Sequence, residues 1–491
     1  MLKASRNVGF FCFRIQDFYI SSVLPYINNK NMDGKIRILF YNLDGAGVNY
    51  FRTQTPAQEL ERNHSDEFYV EINPQLDFND PNIVEYLKSF HIIHYHRQFL
   101  GDTAQMLKLA EELRKSGTIL IMDIDDYWKL HRLHPFYNMS LEKQLHVPIM
   151  ENLKIADYVT TTTDLFASEI KKVTGKDNVG VFYNSVDPKW MKQFQNHWKP
   201  DPDGLVRITY MAGSSHMVDV QQLDGVVNVL QSNPQTKDKF KITIAGWDTE
   251  GSTTDITFNQ DFKVELEKRR LWTHEVVKAI NKTRGDVDQI PRLPQDLKDK
   301  YRGKVFNSQQ RDIKSEESVY LVYEKILTDN HRLIENEDYK NWLMNFERDV
   351  KYENEGNFGR RWTQKANTYA GVLNETDIVL APLADNEFNR MKSNLKQVEC
   401  WTRKLPIVCS DIPPYNVDGR HMENCVLIPN AKNAHKYWKK YLKQLILDAD
   451  LRKRLGEQLY EDFKEDYNLE NVTAKRAEFY KSVVLKGLQI Q

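Results

Sequence analysis

The sequence predicts an α/β protein of two parallel-sheet domains facing each other across a cleft, with a largely helical insertion in the second. Three observations carry that expectation. A chain of 491 residues exceeds what one ordinary core fills, so two or three domains are expected. Short β-branched runs alternate with amphipathic runs from Lys35 to Asp187, and the alternation starts again at Val206. Between the two series lies HWKPDPDG, a polar, proline-bearing linker.

Taken in order, KIRILFYNL reads as the first strand, and GAGVNYFRTQTPAQEL as a glycine turn leading into a helix. EFYVEI, HIIHYHR and TILIMDID are further strands, separated by the helical PNIVEYLKSF and TAQMLKLAEELRKSG. The alternation continues through IMENLKIADYVTTTT and LFASEIKKVTG and closes at NVGVFYNSVD. The second series opens with VRITYMAGSSHMVDVQQLDGVVNVL and FKITIAG, then stops for about 110 residues that are charged, tyrosine-rich and helical in pattern. It resumes at RWTQKANTYAGVLNETDIVLAPL and ends near CVLIPN, with helices from Ala434 onward. The expected organisation is an extension over 1–34, a first Rossmann-like domain over 35–200, and a second over 201–250 and 361–470. The insertion spans 251–360, and a last helix over 471–491 is expected to pack back on the first domain.

Composition removes several function classes. Lys plus Arg number 68 against 69 Asp plus Glu, a formal charge of −1, so no global basic field draws the chain to nucleic acid or anionic membrane. Four cysteines (Cys12, Cys400, Cys409 and Cys425) show neither metal-type spacing nor a disulfide framework, which favours a reducing cytoplasm. No apolar run reaches about 18 residues, so no membrane span is predicted. MLKASRNVGFFCFRIQDFYI imitates a signal peptide, but Arg14 and Asp17 break its apolar core and no small-residue cleavage site follows.

Four constellations carry chemistry. DGAGVNYFR places Gly45 and Gly47 at a strand end, too few glycines for a dinucleotide fingerprint; it reads as a tight turn, with or without a ligand against its amides. Gly213, Ser214, Ser215 and His216 occupy the equivalent place in the second domain, with Asp219 one turn on; small hydroxyl residues there suit phosphate, and His216 either donates to it or only starts a helix. In IMDIDDYW, Asp123 and Asp125 alternate around Ile124, so at most two of three carboxylates point the same way. That weakens a metal site and favours sugar hydroxyls or acid–base work for Asp125 and Asp126, with His94 and His96 of HYHR expected to face the same cleft. Finally, in DNEFNRMKSNLKQVECWTRK, Arg390 and Lys392 supply positive charge and the Ser393 and Asn394 amides open a helix, an arrangement suited to a diphosphate. Glu399, further into that helix, only accepts hydrogen bonds and would satisfy ribose hydroxyls.

On these residues the chain resembles the GT-B-fold glycosyltransferases, specifically the large retaining family that uses nucleotide sugars. The resemblance spans roughly 35–430 without the insertion. It rests on ADYVTTTTDL with NSVD, on GSSH, and most specifically on DIVLAPL, NEFNRMKSNLKQVE and LPIVCSDIPPY. It implies that Glu399 holds the nucleotide ribose. Met391 stands where the family usually has a second Glu, and GSSHMVDVQQL lacks the usual Arg and Lys. The resemblance therefore implies that Arg390 and Lys392 take the cationic role, as in divergent branches, many of them phage-encoded. It also implies that Asp125 or its neighbours replace the family's catalytic histidine, which makes Asp125 and Asp126, with His96 beside them, the catalytic candidates.

The expected activity is transfer of a sugar from a nucleotide-sugar donor to a glycan, a protein or modified DNA, with no cofactor, no metal and no membrane span. Two other classes use the same features: a sugar-nucleotide epimerase, which interconverts the sugar without an acceptor, and a non-catalytic sugar- or protein-binding module.

Overall fold

The computed structural model describes residues 34–42, 47–132, 134, 136–189, 204–213, 216–246, 252–283, 285–312, 326–328, 358–361 and 366–490. Fourteen strands lie among them: β1 (Ile36–Tyr41), β2 (Phe68–Ile72), β3 (Ile92–His96), β4 (Ile119–Asp123), β5 (Tyr158–Thr161), β6 (Val179–Val181), β7 (Val206–Met211), β8 (Phe240–Ala245), β9 (Ser252–Phe258), β10 (Phe306–Asp312), β11 (Phe358–Arg361), β12 (Ile378–Ala381), β13 (Ile407–Ser410) and β14 (Val426–Ile428). Six form a sheet in the order β2-β1-β3-β4-β5-β6, six more form a second in the order β11-β8-β7-β12-β13-β14, and every pairing within both is parallel.

Each sheet is buried on both faces, which is why its strands read as continuous apolar runs. The pleat sorts successive residues of β1. Ile38 and Phe40 pack with Ala57 and Leu60 of the Thr55–Asn63 helix and with Ala477, Tyr480 and Val483 of the Leu469–Ile490 helix. Leu39 and Tyr41 face Met106, Leu109 and Leu113 of the Thr103–Lys115 helix. The last helix of the chain therefore covers a face of the first sheet. The two domains also interlock: Phe388 and Met391, from the loop after β12, are buried in the first domain's core.

Within 252–312, β9 and β10 pair antiparallel around helices Gln260–Lys268, His274–Lys282 and Gln295–Tyr301, over a small core of their own that includes Phe262, Leu266, Leu297 and Phe306. The runs VYLVYEKIL and YKNWLMNFERDV fall almost wholly outside the described residues. This unit leaves the second domain after β8 and rests on the first. Asn138 donates to the Phe306 carbonyl, the Arg132 guanidinium lies 3.5 Å from the Phe306 ring centroid, and Lys304 pairs with Glu142 at 3.1 Å. Gly303 makes the approach possible. Its φ is +68°, and a Cβ there would lie 2.3 Å from the Glu142 nitrogen.

Candidate active site

A cavity of about 1250 Å³ lies between the carboxyl edges of the two sheets. Gly47 after β1, Asp125 and Asp126 after β4, Gly213 after β7 and Lys392 after β12 line it. Strand order reverses between β1 and β3 in one sheet and between β7 and β12 in the other, and such switch points open crevices at the strand ends.

The first-domain wall is built on a buried ion pair. Asp123, the last residue of β4, accepts from Arg52 Nε at 2.9 Å and Nη2 at 2.6 Å, and from Thr160 Oγ1 at 2.7 Å. Burial alone would raise its pKa, but the charge and hydrogen bonds of Arg52, with Arg476 adding to them, hold it well below the carboxylate range. Asp125 Oδ1 lies 3.0 Å from His96 Nε2 and 3.4 Å from Arg97 Nη2, and Asp126 Oδ2 lies 3.1 Å from the same Arg97 nitrogen. Arg97 sits at a left-handed φ of 58°, in the turn that ends β3, which leaves its guanidinium within reach of both. Burial opposes ionisation of Asp125, yet the His96 hydrogen bond and the charges of His96, Arg97 and Arg52 keep it far below its ordinary value. An ionised carboxylate only accepts, so His96 Nε2 carries the proton of that contact.

The second-domain wall is clamped by Asp219. One oxygen lies 2.6 Å from His216 Nδ1, while the other accepts from the Ala384 amide at 2.7 Å and from Asn389 Nδ2 at 3.0 Å. The loops after β7 and β12 are thus tied together. Lys392 Nζ lies 3.7 Å from Asp126 across the cleft and 4.7 Å from the Phe388 ring centroid. Ser393 and Lys396 complete this side, and Lys396 Nζ meets Glu399 at 2.9 Å.

No family model and no curated protein matches the sequence. Among solved structures, the chain is similar to sucrose-phosphate synthase from Thermosynechococcus elongatus, with a TM-score of 0.50 and 10% identity over 92% of this chain and 100% of that one. The fold is GT-B. HepE of Anabaena in complex with UDP-glucose gives a TM-score of 0.49 at 12% identity, covering 91% of this chain and 99% of that one. A glycosyltransferase from Rickettsia africae gives 0.49 at 10% identity, covering 92% and 99%. At such identities the GT-B likeness concerns fold, and the chemistry rests on the residues in the cleft. No described helix is long and apolar enough to cross a membrane.

The GT-B cleft brings together Asp125, Asp126, Gly47, Gly213, His216, Lys392 and Ser393, while Gly45, Ser214 and Ser215 fall outside the described residues. One expectation on the donor side changes, that for Arg390. Arg390 does not line the cavity: the Glu387–Arg390 helix turns it toward Asp385, which binds its guanidinium through both oxygens. Asn394 is buried and donates to the Tyr467 hydroxyl at 2.8 Å, and its side chain makes no capping bond to the Leu395–Trp401 helix. Glu399 is wholly buried behind Tyr369 and Lys396; the Tyr369 hydroxyl and the Lys396 ammonium both donate to it. Asp125, 3.0 Å from His96 Nε2 and 3.4 Å from Arg97, is held ionised below its ordinary value and presents a hydrogen-bond acceptor to the cleft.

His94 is not a cleft residue. It lies within the first domain beside Phe40 and Tyr480, and its Nε2 is 3.3 Å from Thr160 Oγ1. Burial brings its pKa down to about 3, with Arg476 and Arg52 also lowering it against Asp123. A folded-state pKa below the unfolded value means that the unfolded chain takes up the proton first. Stability is therefore intact above about pH 6.5 and declines as the pH falls towards 3. His134, likewise lowered to about 3 mainly by burial, acts in the same direction. Urea midpoints measured from pH 7.5 to pH 5 should fall, and His94→Gln should flatten that slope; an unchanged slope would show that His94 titrates freely.

Lys396, Tyr369, Arg97 and Asn184 were not singled out by the sequence. Lys396 had a signal, since its i, i+3 spacing to Glu399 puts both on one helix face. Arg97 had none, because a left-handed turn at a non-glycine residue leaves no trace in composition.

Proposed function

We propose that the protein is a glycosyltransferase, carrying a sugar from a nucleotide-sugar donor to an acceptor with retention of configuration. The donor sits on the second domain and the acceptor on the first. One observation carries the reading: the cleft sets ammonium groups on one wall against carboxylates on the other, with Lys392 3.7 Å from Asp126, and with Lys396 and Asp125 also lining the cavity. Breaking the bond from the anomeric carbon to the diphosphate sends its electron pair to the leaving oxygen. Positive charge then develops on the sugar ring. The lysines stabilise the first of these changes and the carboxylates the second.

The Leu395–Trp401 helix has only seven residues, so its dipole is a small contributor and the lysines are the main counter-charge. Lys392 already contacts Asp126, so an arriving diphosphate competes for that ammonium and releases the carboxylate toward the sugar. Pockets for a single small ligand run to about 300–1,000 Å³, and this cavity has room for donor and acceptor together. The charge supplied by the lysines leaves no step that requires a metal in this scheme. The acceptor is a glycan, a protein or modified DNA, and the net charge of −1 gives no general support to nucleic acid.

The test is thermal melting against UDP-, GDP-, ADP- and dTDP-sugars and their nucleoside diphosphates, followed by product analysis. A bound donor raises the melting temperature by mass action. The expected result is a shift with one nucleotide class and release of that diphosphate on turnover. Interconversion of the donor sugar without an acceptor would replace the proposal with an epimerase, and an intact donor after long incubation with candidate acceptors would leave a binding module.

A further inference from the structure

The cavity wall contains a hydrogen-bond relay that crosses from one domain to the other. It begins at Arg52, which is fully buried and donates to Asp123, to the Phe182 carbonyl at 2.6 Å and to Asn184 Oδ1 at 3.2 Å. Asn184 follows β6 and lines the cavity. Its Nδ2 lies 2.8 Å from Ser393 Oγ, a contact between residues 209 positions apart and in different domains.

The direction of each bond is fixed by chemistry. A guanidinium can only donate, so the atom of Asn184 that faces Arg52 is its oxygen, and the amide cannot be flipped. The amide nitrogen is then turned toward Ser393 and can only donate. Ser393 Oγ is therefore the acceptor of that bond, and its own hydrogen remains to be given to an oxygen in the cavity that Ser393 lines. Asp123, at the far end, holds Arg52 with two oxygens and lies two residues before Asp125.

We infer that Asn184, held by Arg52, is a positioning residue that turns the Ser393 hydroxyl into a donor to the diphosphate of the nucleotide sugar. The first domain thereby completes the donor site of the second. This rests on the proposed function only in that the cavity takes a nucleoside diphosphate. It also gives the buried Arg52–Asp123 pair a use beyond stability, since removing either partner would strand a buried charge and release the relay at its source.

Calorimetric titration of the full-length chain tests this, using the nucleoside diphosphate found by the thermal screen and the matching nucleoside. Asn184→Asp keeps an acceptor for Arg52 but has no hydrogen to give, so Ser393 must turn its own hydrogen toward it. Diphosphate affinity should fall roughly 10-fold or more, while nucleoside affinity changes by less than about twofold. Asn184→Ala and Ser393→Ala should each weaken the diphosphate, and their combination should be no worse than Ser393→Ala alone. Melting of the ligand-free variants near the wild-type temperature shows that each is folded. Equal losses for diphosphate and nucleoside, or full additivity in the double variant, would overturn the relay while leaving the glycosyltransferase reading in place. A wild-type chain that binds no nucleoside diphosphate would overturn both.

Discussion

Asp125→Asn is expected to lower the turnover of sugar transfer on the order of 100-fold or more, with the donor dissociation constant changed by less than about twofold. The substitution is nearly isosteric, so the cleft keeps its shape, and what disappears is the negative charge. That charge is well defended: His96 donates to it at 3.0 Å, Arg97 lies 3.4 Å away, and together they hold it ionised against its burial. A fixed charge counts only where charge develops, in the transition state, and so the loss should appear in turnover. In the proposed reaction the lysines across the cleft meet the diphosphate, so turnover should also persist in EDTA. Activity abolished by chelator and restored by Mg²⁺ or Mn²⁺ would turn Asp125 and Asp126 into metal ligands. An Asp125→Asn enzyme with unchanged turnover and a weakened donor would place the carboxylate in donor binding.

The parallel sheets were legible because β1, β3, β7 and β12 are short apolar runs flanked by amphipathic helices, a pattern that buried parallel strands cannot avoid. β9 and β10 were hidden in a segment that reads as helical. Their sequences, STTDITF and FNSQQRD, carry almost no apolar alternation, and their pairing spans the three helices between them. The strand-end loops were legible for a similar reason: Asp125, Asp126, Gly213 and Lys392 sit where a parallel sheet presents its ligand edge. Arg390 and Lys392 look interchangeable in the sequence. Two residues apart, they face different ways, one toward Asp385 and the other across the cleft. Arg52 could not be read at all. It lies in an apparently amphipathic run, yet its partners Asp123 and Asn184 are 71 and 132 residues away, and only the closed fold brings them together.

Glu399→Gln should weaken nucleotide binding roughly 10- to 100-fold, the scale of about 1.5–3 kcal/mol for a hydrogen bond to a charged group. Its carboxylate is buried and takes hydrogen bonds from Tyr369 and Lys396, both of which line the cavity while Glu399 itself does not. A ribose reaching Glu399 must therefore take the place of the Tyr369 hydroxyl. The carboxylate can accept from two ribose hydroxyls, whereas a glutamine must turn one donor group toward them. Lys396 is partly exposed, so losing its charged partner should not unfold the domain. Because the ribose is common to both ligands, nucleoside and nucleoside diphosphate should lose affinity together, unlike the selective loss expected at Asn184. Tyr369→Phe removes the competing hydroxyl and should bind the nucleoside at least as tightly as the wild type. Calorimetry on the two variants decides the matter. If Glu399→Gln leaves nucleoside affinity unchanged, the ribose lies elsewhere; if only the diphosphate is affected, Glu399 acts by holding Lys396 in place.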